Sequence, residues 1–571
     1  MHDPFGLGGA ATDPFSLPAS PLAAIPTDAD GDGDREEEGD DEREDEDGDT
    51  QPATPTPAPP DARLAGDRAL ARGWRARAHD NLAAVRLSRA LEAEGRGPTP
   101  DEAALLLRFT GFGATEMANR VFPAPGAGVP EPAWAAVAEG LLEAVPPAEH
   151  AALRRATQYA HYTPEALGRA LWAAAVHLGF RGGRVLEPGI GNGLLLALRP
   201  DALADSALRA TGVELCATSA RIARLLHPSA RVRVEDYTRS RLPGGFDLAV
   251  GNPPFSRRLV RPPRQGGGVA AGMPPMTLHD HFVAASVARL RPGGIALFVT
   301  STGTLDKPDP AARRHIAGMA DLLGAVRVPA GSFRATAGTE VTVDLLALRR
   351  RAPNEPAAGA PWTLTVPVAL DVEGSEGGAP NTWPVNEWFA RHPDAALGRH
   401  VLRRGVYGPG LAYALTGDTG PDLEARVTAA LLAQLREGAH DPAPPGWEDA
   451  PDPDDLAPVA PEGDGADPSR REGSFLVGTD GAIRQVVDGA ARGVPVRVGR
   501  GGEGIAPRDA EVIRALVPVR DALRAVLRAQ AADLPWEADA RRLRVAYGSF
   551  VRRFGPINRA EVSVRVDAET G

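Results

Sequence analysis

Val185-Leu186-Glu187-Pro188-Gly189-Ile190-Gly191-Asn192-Gly193 joins a short apolar run to a turn with glycine at every second position, and an apolar helical pattern resumes at Leu194. Strand, turn and helix in that order make the first half of a βαβ unit. Such a turn needs glycine because a Cβ would hold a nucleotide-like ligand away from the backbone. A dinucleotide-binding turn reads Gly-x-Gly-x-x-Gly, which from Gly189 demands a third glycine at 194; Leu194 stands there instead. An ordinary strand-to-helix turn also satisfies this stretch taken alone, so its meaning rests on what surrounds it.

Outward from the turn, β-type runs at 184–187, 210–214, 231–234, 246–251, 295–300, 323–328 and 341–348 alternate with helical stretches. Seven strands in that alternation predict an α/β domain with a mostly parallel sheet, as in a Rossmann-like class I S-adenosylmethionine-dependent methyltransferase. The acid-then-Gly-x-Gly turn resembles the S-adenosylmethionine loop of that fold. The likeness assigns Glu187, Gly189, Gly191 and Gly193 to the cofactor, with Gly191 and Gly193 facing it. Glu214, 21 positions beyond Gly193, closes the second strand, where a carboxylate can accept both ribose hydroxyls. Asp236, after the third strand, is the candidate acceptor for the cofactor's adenine amino group; a solvated loop acid fits that position equally.

Gly251-Asn252-Pro253-Pro254-Phe255 follows the fourth apolar run. Two prolines stiffen the turn and remove its N–H donors. The Asn252 side-chain oxygen and the Pro253 carbonyl can then accept both protons of one planar NH₂ group, turning its lone pair toward a methyl sulfonium. Phe255 offers a face on which an extruded base can stack. The catalytic set is thus Asn252, Pro253, Pro254 and Phe255, with Asn252 also bordering the cofactor. Positioning and desolvation supply the rate, and no metal is called for.

This order of motifs resembles the gamma-type N6-adenine DNA methyltransferases, in which a Thr-Pro motif precedes the glycine loop. Here that motif is His161-Tyr162-Thr163-Pro164, and the resemblance implies that Tyr162 and Thr163 contact the cofactor. More closely, the chain is similar to the methyltransferase portion of phage- and plasmid-borne methylase–helicase proteins, some linked to antirestriction. The similar stretches include Phe109-Thr110-Gly111-Phe112-Gly113, Leu278-His279-Asp280-His281-Phe282, residues 300–307, 323–329, 337–341 and 385–389, and 547–558. The resemblance implies methyl transfer to adenine N6 in DNA. In those relatives a helicase usually follows, so coupled translocation would need a separate helicase or translocase subunit as partner. Cytosine N4 presents the same planar amine. RNA and protein-glutamine methyltransferases use the same Asn-Pro-Pro-aromatic logic, and a non-catalytic scaffold or antirestriction protein could keep the fold without the reaction.

Composition bounds these readings. Residues 1–61 read as a disordered acidic and proline-rich tail. Between Asp28 and Asp49 fifteen acids face only Arg35 and Arg43, so this segment carries −13 of the net −12 and the remaining chain +1. Such a balance gives DNA binding no general electrostatic support. Residues 62–146 read as a helical lead-in, with Thr99-Pro100-Asp101-Glu102 matching a capping box. The methyltransferase domain spans 147–350 and a mixed extension 351–440. An acidic, proline-rich linker follows at 441–471. A hairpin, with Thr479-Asp480-Gly481 as its turn, and arginine-rich helices close the chain at 472–571, a candidate DNA-contact part. Arg520, Arg524, Arg528, Arg552 and Arg553 there, and Arg257, Arg258, Arg261 and Arg264 beside the diproline turn, are candidate phosphate contacts. Lys307 is the sole lysine and lies outside any Gly-Lys-Ser/Thr motif, so no P-loop ATPase is encoded in the chain. The sole cysteine, Cys216, excludes an internal disulfide, and its place in the second-strand motif excludes it from cytosine-C5 chemistry. His279-Asp280 reads as a helix-start cap. Without a secretory signal or a membrane-length apolar run, a cytoplasmic location is expected.

Overall fold

The computed structural model describes residues 60–557, apart from 124–130, 160, 204–207, 243, 257, 261–272, 375–380, 405–409, 442–473, 479, 488–489, 497–504 and 532–533. The acidic tail, the linker beyond Asp441, and Arg257, Arg261 and Arg264 therefore lie outside the described residues.

Seven strands build the central sheet: β1 Gly183–Pro188, β2 Leu208–Glu214, β3 Arg231–Val234, β4 Phe246–Gly251, β5 Leu290–Ser301, β6 Ala320–Val328 and β7 Val343–Arg350. Their spatial order is β3-β2-β1-β4-β5-β7-β6. β1 pairs in parallel with β2 and β4, and β4 with β5, whereas β7 runs antiparallel to both β5 and β6. This is the Rossmann-like class I methyltransferase sheet expected from the motif order, and all seven expected runs lie on it. β5 starts five residues before its expected bound, at Leu290, because Leu290 pairs with Phe246 across an irregularity in the β4–β5 register that Gly293 at φ 77° accommodates.

Side chains alternate between the two faces as strand geometry requires. Val185, Leu248, Val250, Ile295, Leu297 and Val299 enter one buried cluster with the N-terminal helices. Leu186, Ala249, Ala296 and Phe298 enter the other with the helix Leu278–Arg289.

The N-terminal helices Trp74–Glu94, Pro100–Leu107, Thr115–Val121, Pro132–Ala144 and Pro147–Ala156 pack on the first face rather than forming a core of their own. Thr99 accepts from the Glu102 N–H and the Glu102 side chain accepts from the Thr99 N–H, completing the capping box. Two buried asparagines join this lead-in together and to the sheet. Asn81 accepts from the Thr110 N–H at 2.9 Å and donates to the Gly111 carbonyl at 2.6 Å. Asn192, inside the glycine turn, donates to the carbonyls of Leu107 and Phe109 at 3.2 and 3.0 Å.

Beyond β7, the extension holds two hairpins, Thr365–Leu370 with Asn381–Asn386 and Arg399–Arg404 with Leu411–Thr416, and the helix Leu423–Gln434. Fully buried Arg327 anchors it: the guanidinium meets Asp306 at 2.6 and 3.0 Å and Asp344 at 2.7 and 2.9 Å. Asp306 also accepts from the Asn386 N–H at 2.8 Å. The C-terminal part pairs a three-stranded sheet with the helices Pro507–Ala531 and Glu537–Phe554, and Gly481 sits at φ 73° in the expected hairpin turn. Arg520 is buried and donates to the Phe475 carbonyl at 2.7 Å, so it braces this sheet and cannot face DNA. Among the described residues, no helix is long and apolar enough to cross a membrane.

Asn192→Leu should strand the Leu107 and Phe109 carbonyls away from water. Urea unfolding is expected to show a loss of about 2–4 kcal/mol, the cost of leaving two buried acceptors unpaired.

Candidate active site

In a doubly wound sheet the ligand crevice opens outside the carboxyl ends of the strands where the winding reverses. Here that point lies between β1 and β4, the ends that carry the glycine turn and the diproline turn. The two ends touch: a Cβ placed on Gly251 would lie 3.4 Å from the Pro188 carbonyl.

Gly189, Gly191 and Gly193 adopt φ of 76°, 58° and 83°, a region that L side chains rarely enter. Glu214 bridges this turn to β2: one carboxylate oxygen accepts from the Gly191 N–H at 2.9 Å, the other from the Cys216 N–H at 2.8 Å. Burial raises the carboxyl above its ordinary value. The same burial raises the Cys216 thiol, which packs at the strand end and is no thiolate nucleophile. Tyr162 covers the turn, its ring 3.2 Å from where a Gly191 Cβ would sit and its hydroxyl 3.2 Å from Ser219 Oγ. Thr163 is buried beside it, with its carbonyl accepting from Arg68 at 3.4 Å.

Gly193 answers to a different neighbour. A Cβ there would stand 2.5 Å from the His227 ring, whose Nε2 lies 2.8 Å from the Gly193 carbonyl. Packing against His227 therefore requires this glycine, in addition to any part it takes in the cofactor turn. Asp236 likewise has a structural duty, as its Oδ1 caps the turn Tyr237–Arg239 by accepting from the Thr238 N–H and hydroxyl at 2.9 and 2.8 Å. Glu187 ends β1 fully enclosed, with Oε2 lacking any hydrogen-bond partner. Burial, reinforced by Glu214, pushes its carboxyl well above the usual range.

At the diproline turn, Asn252 donates from Nδ2 to the His161 carbonyl at 2.9 Å. A carbonyl can only accept, so the amide orientation is set and Oδ1 is presented instead. That oxygen is buried and unpartnered. Pro253 is buried and Phe255 half-buried, the Phe255 ring meeting His279 edge-on at 5.2 Å and Phe333 at 6.3 Å.

Three participants escape a motif reading. The His161 carbonyl belongs to the backbone and has no residue-type signal. Phe109 packs edge-on at 6.0 Å against Tyr162 from the lead-in, across a sequence gap no local pattern spans. His279, read as a helix cap, makes no cap bond; Thr277 holds the N-cap position, and the His279 ring reaches the diproline turn.

Three solved structures are similar in part. A Listeria monocytogenes protein named as a class I S-adenosylmethionine-dependent methyltransferase is 14% identical, over 50% of this chain and 92% of its own, with a TM-score of 0.31. A type I restriction-modification methyltransferase subunit from Streptococcus thermophilus is 16% identical, over 48% of this chain and 66% of its own, at 0.28. A TehB-like S-adenosylmethionine-dependent methyltransferase from Corynebacterium glutamicum is 20% identical, over 32% of this chain and 88% of its own, at 0.22. At these values the likenesses add nothing to what the strand order establishes. No protein-family model and no curated protein matches the sequence.

Burial holds the His227 and His279 rings down at about 4 each, so both are neutral at physiological pH. In a histidine NMR titration their ring resonances should stay in place from pH ~7.5 to ~5, well below the ordinary midpoint near 6.5. A midpoint near 6.5 for either would mean that its ring is hydrated.

Proposed function

We propose that this chain is an S-adenosylmethionine-dependent DNA methyltransferase acting on an exocyclic amino group, with adenine N6 as the target. The observation that carries the reading is Asn252: Nδ2 is tied to the His161 carbonyl while Oδ1 is a buried acceptor with no partner. A buried polar atom left unpaired costs about 1–3 kcal/mol. A planar NH₂ donor removes that cost when it enters.

The residues around β1 and β2 fit the cofactor. Gly189 and Gly191 leave backbone open to a nucleotide-like group. Glu214 keeps further lone pairs for ribose hydroxyls after accepting two backbone N–H groups. Glu187 has an unpaired oxygen suited to a cation, and meeting the amino group of S-adenosylmethionine would ionise it. When bound, the cofactor supplies a methyl group on an electron-poor sulfur.

The remaining work falls to the chain's own groups. Asn252 Oδ1 and the Pro253 carbonyl accept the two amino protons, which withdraws the nitrogen lone pair from conjugation and aims it out of the ring plane. Phe255 stacks the base, and the enclosing Tyr162 and Phe109 exclude water from the glycine turn. The extra proton on the methylated nitrogen, acidic because that nitrogen is then cationic, passes to solvent after transfer, so no strong base is needed beforehand. Support for DNA over RNA or a glutamine amide comes from the family-like stretches outside the site, residues 300–307 and 385–389 among them.

The test is nucleoside mass spectrometry on digested DNA from a methylation-deficient strain expressing wild type or Asn252→Ala. N6-methyladenine should accumulate with wild type and fall by about 10²-fold or more with the variant, as when a positioned hydrogen-bonding group is removed elsewhere. Equal levels in both strains would sink the catalytic reading. N4-methylcytosine would move the target, and tritiated-methyl transfer to RNA or protein alone would move the substrate.

A further inference from the structure

The diproline turn is braced by a side chain that the reaction above does not use. His279 is the second residue of the helix Leu278–Arg289 and is 3% exposed. Its Nε2 accepts from the Ser301 N–H at 3.2 Å, at the end of β5. A backbone N–H can only donate, so Nε2 carries the lone pair and Nδ1 the proton. That proton faces the Pro254 carbonyl across 3.4 Å, while the ring edge meets Phe255 at 5.2 Å and 71°. Edge-to-face contact of this kind prefers a definite ring orientation.

The helix end that carries the ring is itself held. Thr277 donates its hydroxyl to Asp280 Oδ2 at 2.7 Å, and the ammonium of Lys307 meets the same carboxylate. Lys307 lies just after the segment that begins at Ser301, so one charge pair and one backbone bond lock the helix start to the end of β5. Thr277, Asp280, Ser301 and Lys307 thus hold the helix start in place, and His279 carries that hold to Pro254 and Phe255.

We infer that His279 is a positioning residue for methyl transfer, an inference that rests on the function proposed above. It sets the plane of Phe255 against an incoming base. It also occupies the Pro254 carbonyl, which leaves the acceptor beside Asn252 to Pro253 alone. Its effect falls on the geometry of the reacting amine, with cofactor affinity untouched.

The test uses the full chain, unmethylated plasmid DNA and tritiated S-adenosylmethionine. His279→Leu keeps the bulk and loses both hydrogen bonds; His279→Asn keeps an N–H donor near the Nδ1 position. The single-turnover rate should fall by about ten- to a hundredfold in His279→Leu, the scale of a small misplacement. S-adenosylmethionine binding by calorimetry and the half-saturating DNA concentration should hold at wild-type values, and His279→Asn should recover most of the rate. His279→Leu reacting at the wild-type rate would overturn the inference. So would His279→Asn reacting as slowly as His279→Leu, or cofactor affinity falling in step with the rate, since the ring would then serve the fold alone. A wild-type chain that labels no DNA overturns the proposed function itself, and this inference with it.

Discussion

One hydrogen bond orders the site: the Asn252 amide nitrogen on the His161 carbonyl. An amide side chain has a donor end and an acceptor end and can rotate to exchange them. A carbonyl partner removes that freedom, because it takes only the donor. The oxygen is thereby left buried and without a hydrogen-bond partner, and an acceptor in such low-dielectric surroundings binds a donor more strongly than the same atom in water. The residue that imposes this lies in the His161-Tyr162-Thr163-Pro164 segment, whose next side chain closes over Gly191. The same short segment thus orients the diproline turn and covers the glycine turn.

Around that bond the protein concentrates groups whose charge it suppresses. Glu187 and Glu214 are raised by burial and His279 is lowered. Burial thus works against the charged form of all three side chains. The buried Asp306–Arg327–Asp344 cluster does the reverse, keeping full charges paired in the core. Such clusters add little net stability, yet removing one member is costly, so they favour a single arrangement of the extension on the sheet.

Most of the architecture was legible in the residues. The seven strands show as apolar runs because a parallel sheet covered on both faces needs unbroken hydrophobic segments. The capping box at Thr99 and the turn at Gly481 are local, since a few adjacent residues satisfy each other. Less legible were the duties of particular side chains. Gly193 looks like a ligand-facing glycine and is required by His227; Asp236 looks like a ligand acceptor and caps a turn; Arg520 looks like a wet arginine and lies buried under Phe475. Each belongs to a residue type that serves several purposes, and only its neighbour in space reveals the structural one.

From the residues alone came the sheet, the glycine and diproline turns and their order, because strand period, glycine spacing and proline stiffness act within a few positions of one another. Tertiary structure alone decided which atom of Asn252 is bonded and which is left without a partner, that Asn192 ties the lead-in helices to the glycine turn, and that His279 meets Phe255 edge-on. These contacts span 91, 85 and 24 positions of chain, and a hydrogen bond or ring contact over such a gap exists only once the sheet has brought its strand ends together.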